Sequence, residues 1–323
     1  MKTVFIIGAG ANVEIEMPSG IELKEDIIKA LNFSSLNNSN KNIDILFAMQ
    51  ALRRTEEQIE SIASIISNAL PHAISIDNFI DMRRNEPDIA LCGKLAIIYS
   101  ILNAEKKCTL YKYINNGYSD FLKSWYPLFF QKISENCDIN EFKERLKNIS
   151  FIIFNYDRCF EYYMIHALKV AYGVSNENAE NIVENMNIIH PYGKIGDLEK
   201  IKFGLEFNHT HLLGCATNIK TFTEDSDMKI TIKKHIDSAD QIIFLGFAYH
   251  EINLDLLLGK HDFNKSPKNF IECYGTGYDI SEKDIKEIYS ALLIRDQRLF
   301  DPDIANITCA KFFKDFWHRI SFK

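Results

Sequence analysis

Apolar positions along this chain follow two patterns. In the first, they stand side by side in short runs: Val4-Phe5-Ile6-Ile7, Ile149-Ser150-Phe151-Ile152-Ile153-Phe154, Ile188-Ile189, Gln241-Ile242-Ile243-Phe244-Leu245 and Asn269-Phe270-Ile271-Glu272-Cys273-Tyr274. Unalternating runs of this length are the form of a parallel strand buried on both faces. Each ends abruptly in glycine or polar residues. Three endings stand out: Gly8-Ala9-Gly10-Ala11-Asn12, Asn155-Tyr156-Asp157 and His190-Pro191-Tyr192-Gly193. Ligands of open α/β sheets sit where strands end at their carboxyl edge, so these endings form a candidate site.

The second pattern is helical. Ser19 followed by Glu22 is a capping-box signature and predicts a helix through Leu31. Asn32 to Asn42, rich in Ser and Asn, reads as a flexible loop. From Ile43 to Leu146 nearly everything has helical spacing, including Ile59, Ile62, Ile65 and Ile66. Further helices are predicted over about Arg158 to Tyr172, Glu177 to Asn185, Ile230 to Ser238, after Asn253, Glu282 to Leu293 and Ala310 to Ile320. Ile201 to Leu213 holds two candidate strands, the second around His209-Thr210-His211. The expected fold is α/β: a Rossmann-like, doubly wound, mostly parallel sheet with a large helical insertion. Residues 1–31 and 149–323 are assigned to the sheet domain and 32–148 to the insertion.

Composition changes this picture little. Hydrophobic content of 46% and charged content of 25% are those of an ordinary globular protein. A net charge of −7 argues against nonspecific nucleic-acid binding, which relies on clustered basic charge. The seven cysteines form no Cys-x-x-Cys pair, which favours reduced thiols over a disulfide framework or a zinc module. The N-terminus imitates a signal peptide, but its apolar run is barely long enough, and it reads as the first strand. No apolar run approaches the ~20 residues that span a bilayer. A cytoplasmic protein without membrane contact is expected.

Each candidate has a plain alternative. Gly8 and Gly10 after a strand suit backbone amides approaching a diphosphate, or simply a tight turn. The third glycine of the dinucleotide fingerprint would fall at Val13 and is missing, and the chain is not expected to enter a helix at once, which argues against an ordinary dehydrogenase. Asn155 and Asp157 are either a rigidly held amide and carboxylate or a loop bond and a helix cap. His190 sits at a strand end beside a sharp turn, where a general base would stand. His209 and His211 would share one face of a strand, but a third zinc ligand with supportive spacing is missing. Cys159 and Cys215 have no basic neighbour in sequence to activate them. Phe312, Phe313, Phe316, Trp317 and Ile320 form an aromatic stripe, read as core packing ahead of an oligomer interface.

The order of the motifs says more than any one of them. Gly8-Ala9-Gly10-Ala11-Asn12 with Pro18-Ser19-Gly20, then Phe154-Asn155-Tyr156-Asp157, His190 and Leu245-Gly246-Phe247, resembles the sirtuin-like superfamily. More closely, the set resembles bacterial sirtuin-like NAD-cleaving effectors of antiphage defence, whose helix start is also similar to Ser75-Ile76-Asp77-Asn78-Phe79. The resemblance implies that Gly8, Ala9, Gly10, Ala11, Asn12, Pro18 and Ser19 wrap NAD, with Gly246, Phe247, Asn253 and Gly275 also against it. It implies that Asn155 holds the ribose or the attacking water and His190 acts as general base. Asp157 would orient the carboxamide or neutralise developing positive charge.

Two departures narrow the implied activity. The four-cysteine zinc module of the deacylases is missing, and their Thr-Ser after the fourth-motif glycine is replaced by Phe247-Ala248. What remains implied is an NAD hydrolase releasing nicotinamide and ADP-ribose, with NAD as substrate, no metal, and a role in antiviral defence. A sensing module that binds NAD or ADP-ribose without cleaving it stays open, as does a protein deacylase or ADP-ribosyltransferase. No second ligand-sensing domain is recognisable, so control is expected from the helical insertion, from homo-oligomerisation or from an activating partner protein.

Overall fold

The computed structural model describes residues 1–33, 43–220, 226–259 and 270–322. Most of the loop expected over Asn32 to Asn42, and the start of the run at Asn269, lie outside these residues. Six strands, β1 (Thr3–Ile7), β2 (Ile149–Ile153), β3 (Asn187–Ile189), β4 (Gln241–Leu245), β5 (Ile271–Thr276) and β6 (Leu299–Ala305), form one sheet in the order β3-β2-β1-β4-β5-β6. Every pairing is parallel. All residues of β1, β2 and β4 are buried, as the unalternating apolar runs require. The fold is therefore a Rossmann-like, doubly wound α/β sheet.

Register sets the carboxyl edge. Ile7 lies level with Ile153 on one side and Leu245 on the other, so β1, β2 and β4 end together. The chain builds outward from β1 through β2 to β3, then returns and builds the other way through β4, β5 and β6. The reversal between β1 and β4 is the topological switch point, where such sheets bind ligands.

Between β1 and β2 the chain forms α1 (Gly20–Leu31), α2 (Ile43–Ala51), α3 (Glu56–Ala69), α4 (Ile76–Met82), α5 (Pro87–Lys107), α6 (Thr109–Asn116), α7 (Trp125–Ser134) and α8 (Ile139–Leu146). The capping box is present: Ser19 Oγ accepts from Glu22 N–H at 3.3 Å while Glu22 accepts from Ser19 N–H at 2.8 Å. Ser75 caps α4 in a related way, accepting from Asn78 N–H at 3.1 Å. At 21 residues α5 is long and apolar enough to cross a membrane, longer than the sequence suggested. It packs against α1, α2, α3 and α4 with Leu95, Ala96, Ile97 and Ile98 buried, so it is the central helix of this layer.

After β2 come α9 (Cys159–Tyr172), α10 (Asn176–Glu184), α11 (His209–Ala216), α12 (Ser226–Asp237), α13 (Glu251–Leu258), α14 (Glu282–Arg295) and α15 (Cys309–Asp315). Three expectations are corrected. His209 and His211 begin α11 rather than a strand, because Asn208 Oδ1 accepts from the Thr210 and His211 amides and starts the helix. Residues two apart on a helix diverge by about 200°, so they present no shared face. The chain also enters a 3-10 turn, Ala9–Ile15, directly after Gly8. Finally, β6 had no apolar signature: Asp301, Pro302 and Asp303 interrupt it, which an edge strand tolerates.

The aromatic stripe near the C-terminus is core. Phe312 and Phe313 are fully buried, and Phe313 stacks 6.0 Å from Trp125 and meets Phe129 edge-on. These contacts join α15 to α7 over the sheet.

Candidate functional site

At the switch point the backbones of β1 and β4 touch. The Gly10 N–H donates to the Gly246 carbonyl at 3.0 Å, and the Gly8 N–H to the Leu245 carbonyl at 2.9 Å. Gly246 has φ +55, and a Cβ there would lie 1.8 Å from the Ala11 nitrogen. A Cβ on Gly8 would lie 2.5 Å from the Gly246 oxygen. The glycines thus permit close approach of two strand ends. The Ala11 N–H donates back to the Gly8 carbonyl, so the amides of Gly8, Gly10 and Ala11 are all engaged within the chain.

Asn12 and Asp157 are locked together. Asn12 Nδ2 donates to both Asp157 oxygens, at 2.9 and 3.0 Å, and Asn12 Oδ1 accepts from the Tyr126 hydroxyl at 2.8 Å. Asp157 also accepts from the Cys159 N–H at 3.0 Å, the cap-like bond that starts α9. Burial raises the Asp157 carboxyl above its usual range, although the Cys159 and Asn12 bonds pull the other way. Glu14 ties the same turn to α7 and α15, accepting from Trp125 N–H at 2.9 Å and Ala310 N–H at 2.8 Å. Trp125 Nε1 donates to the Ala11 carbonyl. The turn is a clamped structural joint.

Asn155 differs from its neighbours. It is 4% exposed, and neither its side-chain oxygen nor its nitrogen has a hydrogen-bond partner among the described residues. An orphaned buried amide costs about 1–3 kcal/mol, so such a group in a native fold holds an ordered water, stores strain or meets a ligand. His190 Nδ1 lies 3.2 Å from the main-chain carbonyl oxygen of Asn155. His190 Nε2 lies 3.1 Å from Glu161 Oε1, and Lys194 Nζ donates to that same oxygen at 3.1 Å. Burial would raise Glu161, but the His190 and Lys194 charges outweigh it and hold the carboxyl at about 2. Sequence reasoning missed Glu161 and Lys194, because their partner His190 becomes a neighbour only when β2 and β3 pair.

A buried ion pair supports the junction from below. Arg158 Nε and Nη2 reach Glu105 Oε1 and Oε2 of α5 at 3.1 and 2.6 Å, with both side chains fully buried, and Arg158 also donates to the Ile201 carbonyl. Burial pushes the Cys159 thiol well up, away from thiolate chemistry. All seven cysteines are free.

The remaining candidates lie around this edge. Asn253 Oδ1 accepts from the Tyr192 hydroxyl at 2.5 Å, drawing the turn after β3 to α13. Phe247 packs against Phe154, Phe244 and Tyr249. Gly275 lies inside β5, where a Cβ would meet the Tyr249 hydroxyl at 2.5 Å. Pro18 faces outward into a cleft of about 760 Å³ that is also lined by Val13, Glu22, Ser100 and Lys107, whereas Ser19 caps α1. A second cavity of about 570 Å³ is lined by Asp197, Lys200, Asn208 and His211. Neither cavity is lined by Asn155, Asp157, His190 or Gly246. Among the described residues no group of three or more His, Cys, Asp or Glu side chains is placed to hold a metal ion.

The class so defined is a doubly wound α/β protein with an unpartnered amide and a carboxylate-bound imidazole beside its switch point. No protein-family model matches the chain, and no curated protein matches it. Among solved structures it has remote similarity to a Sir2-fold protein, a mutant Sir2 homologue in complex with 2'-O-acetyl ADP ribose. The TM-score is 0.40 at 11% identity, covering 98% of this chain and 90% of that one. A likeness at that level says nothing about ligand or reaction.

Proposed function

We propose that this chain hydrolyses NAD at the nicotinamide–ribose bond and acts as an antiviral defence effector. The observation that carries the reading is the buried, unpartnered side-chain amide of Asn155, a residue whose main-chain carbonyl lies 3.2 Å from His190 Nδ1, beside the switch point. Nicotinamide is a cationic leaving group, so water attack at the ribose carbon releases neutral nicotinamide, ADP-ribose and one proton. The transition state resembles an oxocarbenium ion, and the protein's task is to place water and arrange charge. Asn155 is assigned to the ribose or the water, and His190 to the proton. Asp157, engaged by Asn12 and Cys159, serves to fix the junction and supplies negative potential near it. The amides of Gly8, Gly10 and Ala11 are engaged within the chain, and the turn from Gly8 to Asn12 is assigned to the NAD side of the site on the order of the motifs alone. The defence role rests on the ordered motifs alone.

One observation favours a second reading, a module that binds NAD or ADP-ribose without cleaving it. Both His190 nitrogens already face acceptors. Incubating the purified chain with NAD, and separating nicotinamide from ADP-ribose by chromatography, distinguishes the two. Cleavage that disappears in His190→Ala supports the enzyme. Saturable binding with no nicotinamide released supports the sensor.

A further inference from the structure

We propose that Glu161 is a positioning residue that fixes the tautomer of the neutral His190 ring, keeping the proton on Nε2 and leaving Nδ1 unprotonated. The proposal rests on the NAD-cleaving reading above and adds a residue to it.

The geometry leads there in three steps. Both partners of the ring, the Asn155 carbonyl and the Glu161 carboxylate, only accept, so both bonds form together only on the doubly protonated ring. To act as a base, His190 must give up one proton. The bond to an ionised carboxylate is charge-assisted and roughly twice as strong as one to a neutral carbonyl, so the proton on Nδ1 leaves first. That leaves the Nδ1 lone pair on the side of the ring that faces the Asn155 main-chain carbonyl. A carboxylate that selects the tautomer of a catalytic imidazole in this way is a general device.

Lys194 sets the strength of the hold. Its ammonium shares Glu161 Oε1 with His190 and also lies 3.8 Å from Asp197. Glu161 is 5% exposed and its Oε2 has no partner among the described residues, so the carboxylate depends on these two cations. The other charges facing it are Asp157 at the end of β2 and the Arg158–Glu105 pair linking α9 to α5. Burial opposes its charge, and the His190 and Lys194 charges outweigh that and hold Glu161 at about 2.

Two measurements test the assignment. The first needs no activity: nitrogen-15 correlation spectra of histidine-labelled protein, taken above neutral pH, read which His190 nitrogen carries the proton. The wild type should show the Nε2–H form, and Glu161→Gln a mixture or the Nδ1–H form. An Nδ1–H wild type, or an identical pattern in the variant, overturns the proposal even if the chain cleaves NAD. The second is nicotinamide release at one pH above neutral. Glu161→Gln should lower kcat by about 100-fold or more with KM changed less than about threefold. Lys194→Met keeps the carboxylate and should lose far less. A loss in Glu161→Gln no larger than in Lys194→Met marks a packing role and refutes the proposal. If the wild type releases no nicotinamide, the reading of the reaction falls while the spectra still decide the tautomer.

Discussion

Replacing Asn155 with leucine should make the protein more stable and inactive. The two side chains are close in shape, so the change mainly exchanges an amide for methyl groups inside a buried site. Asn155 is 4% exposed with both polar atoms unpartnered, and removing such an amide relieves about 1–3 kcal/mol. Fitting a near-isostere into the space returns less than about 1.5 kcal/mol. The net gain should be about 1 kcal/mol, raising the urea midpoint by about 0.3–0.5 M for a slope of about 2–3 kcal/mol per molar. Chemical denaturation followed by circular dichroism measures it. A midpoint that falls by more than about 0.3 M would mean that the amide has native partners, and the argument that it awaits a ligand would fail.

Asn12→Ala should act in the opposite sense: it strands the buried Asp157 carboxylate and the Tyr126 hydroxyl, and a loss of about 3 kcal/mol is expected in the same denaturation assay. Gly246→Ala places a Cβ 1.8 Å from the Ala11 nitrogen at φ +55 and should destabilise by about 3–5 kcal/mol, visible as a lowered thermal midpoint. Glu161, held at about 2 against an ordinary 4.5, contributes stability above pH 4.5 that is lost as pH falls toward 2. Lys194→Met weakens that depression, so acid unfolding followed by fluorescence should begin at higher pH. Asp77 has the opposite sign: burial lifts it from 3.8 to about 7, so the folded state loses stability as pH rises between those values. Asp77→Asn should flatten that slope in a series of urea titrations across pH.

Legibility in the sequence followed locality. Buried parallel strands such as Val4 to Ile7 and Ile242 to Leu245 announce themselves because both faces must be apolar, and the Ser19 capping box is a contact three residues long. The edge strand β6 does not, since Asp301 and Asp303 turn away from the core and its outer edge tolerates Pro302. The helix start at Asn208 was hidden because His211 stands where a Glu or Gln completes the familiar signature. At the site, Asn155 and His190 were visible as strand endings. What surrounds them was not: Glu161 meets His190 across 29 positions, and Asn12 meets Asp157 across 145. Those partners depend on the register of β1, β2 and β3. The same register ties Asn12, Gly8 and Gly10 into the frame.

If the Asn155 amide is kept for a ligand whose glycosidic bond is cleaved, nicotinamide release from NAD by Asn155→Leu, measured beside wild type at equal concentrations of folded protein, reveals it. The prediction is turnover by the wild type and about a hundredfold less, or none, by a variant at least as stable. Equal turnover by the two proteins would contradict it.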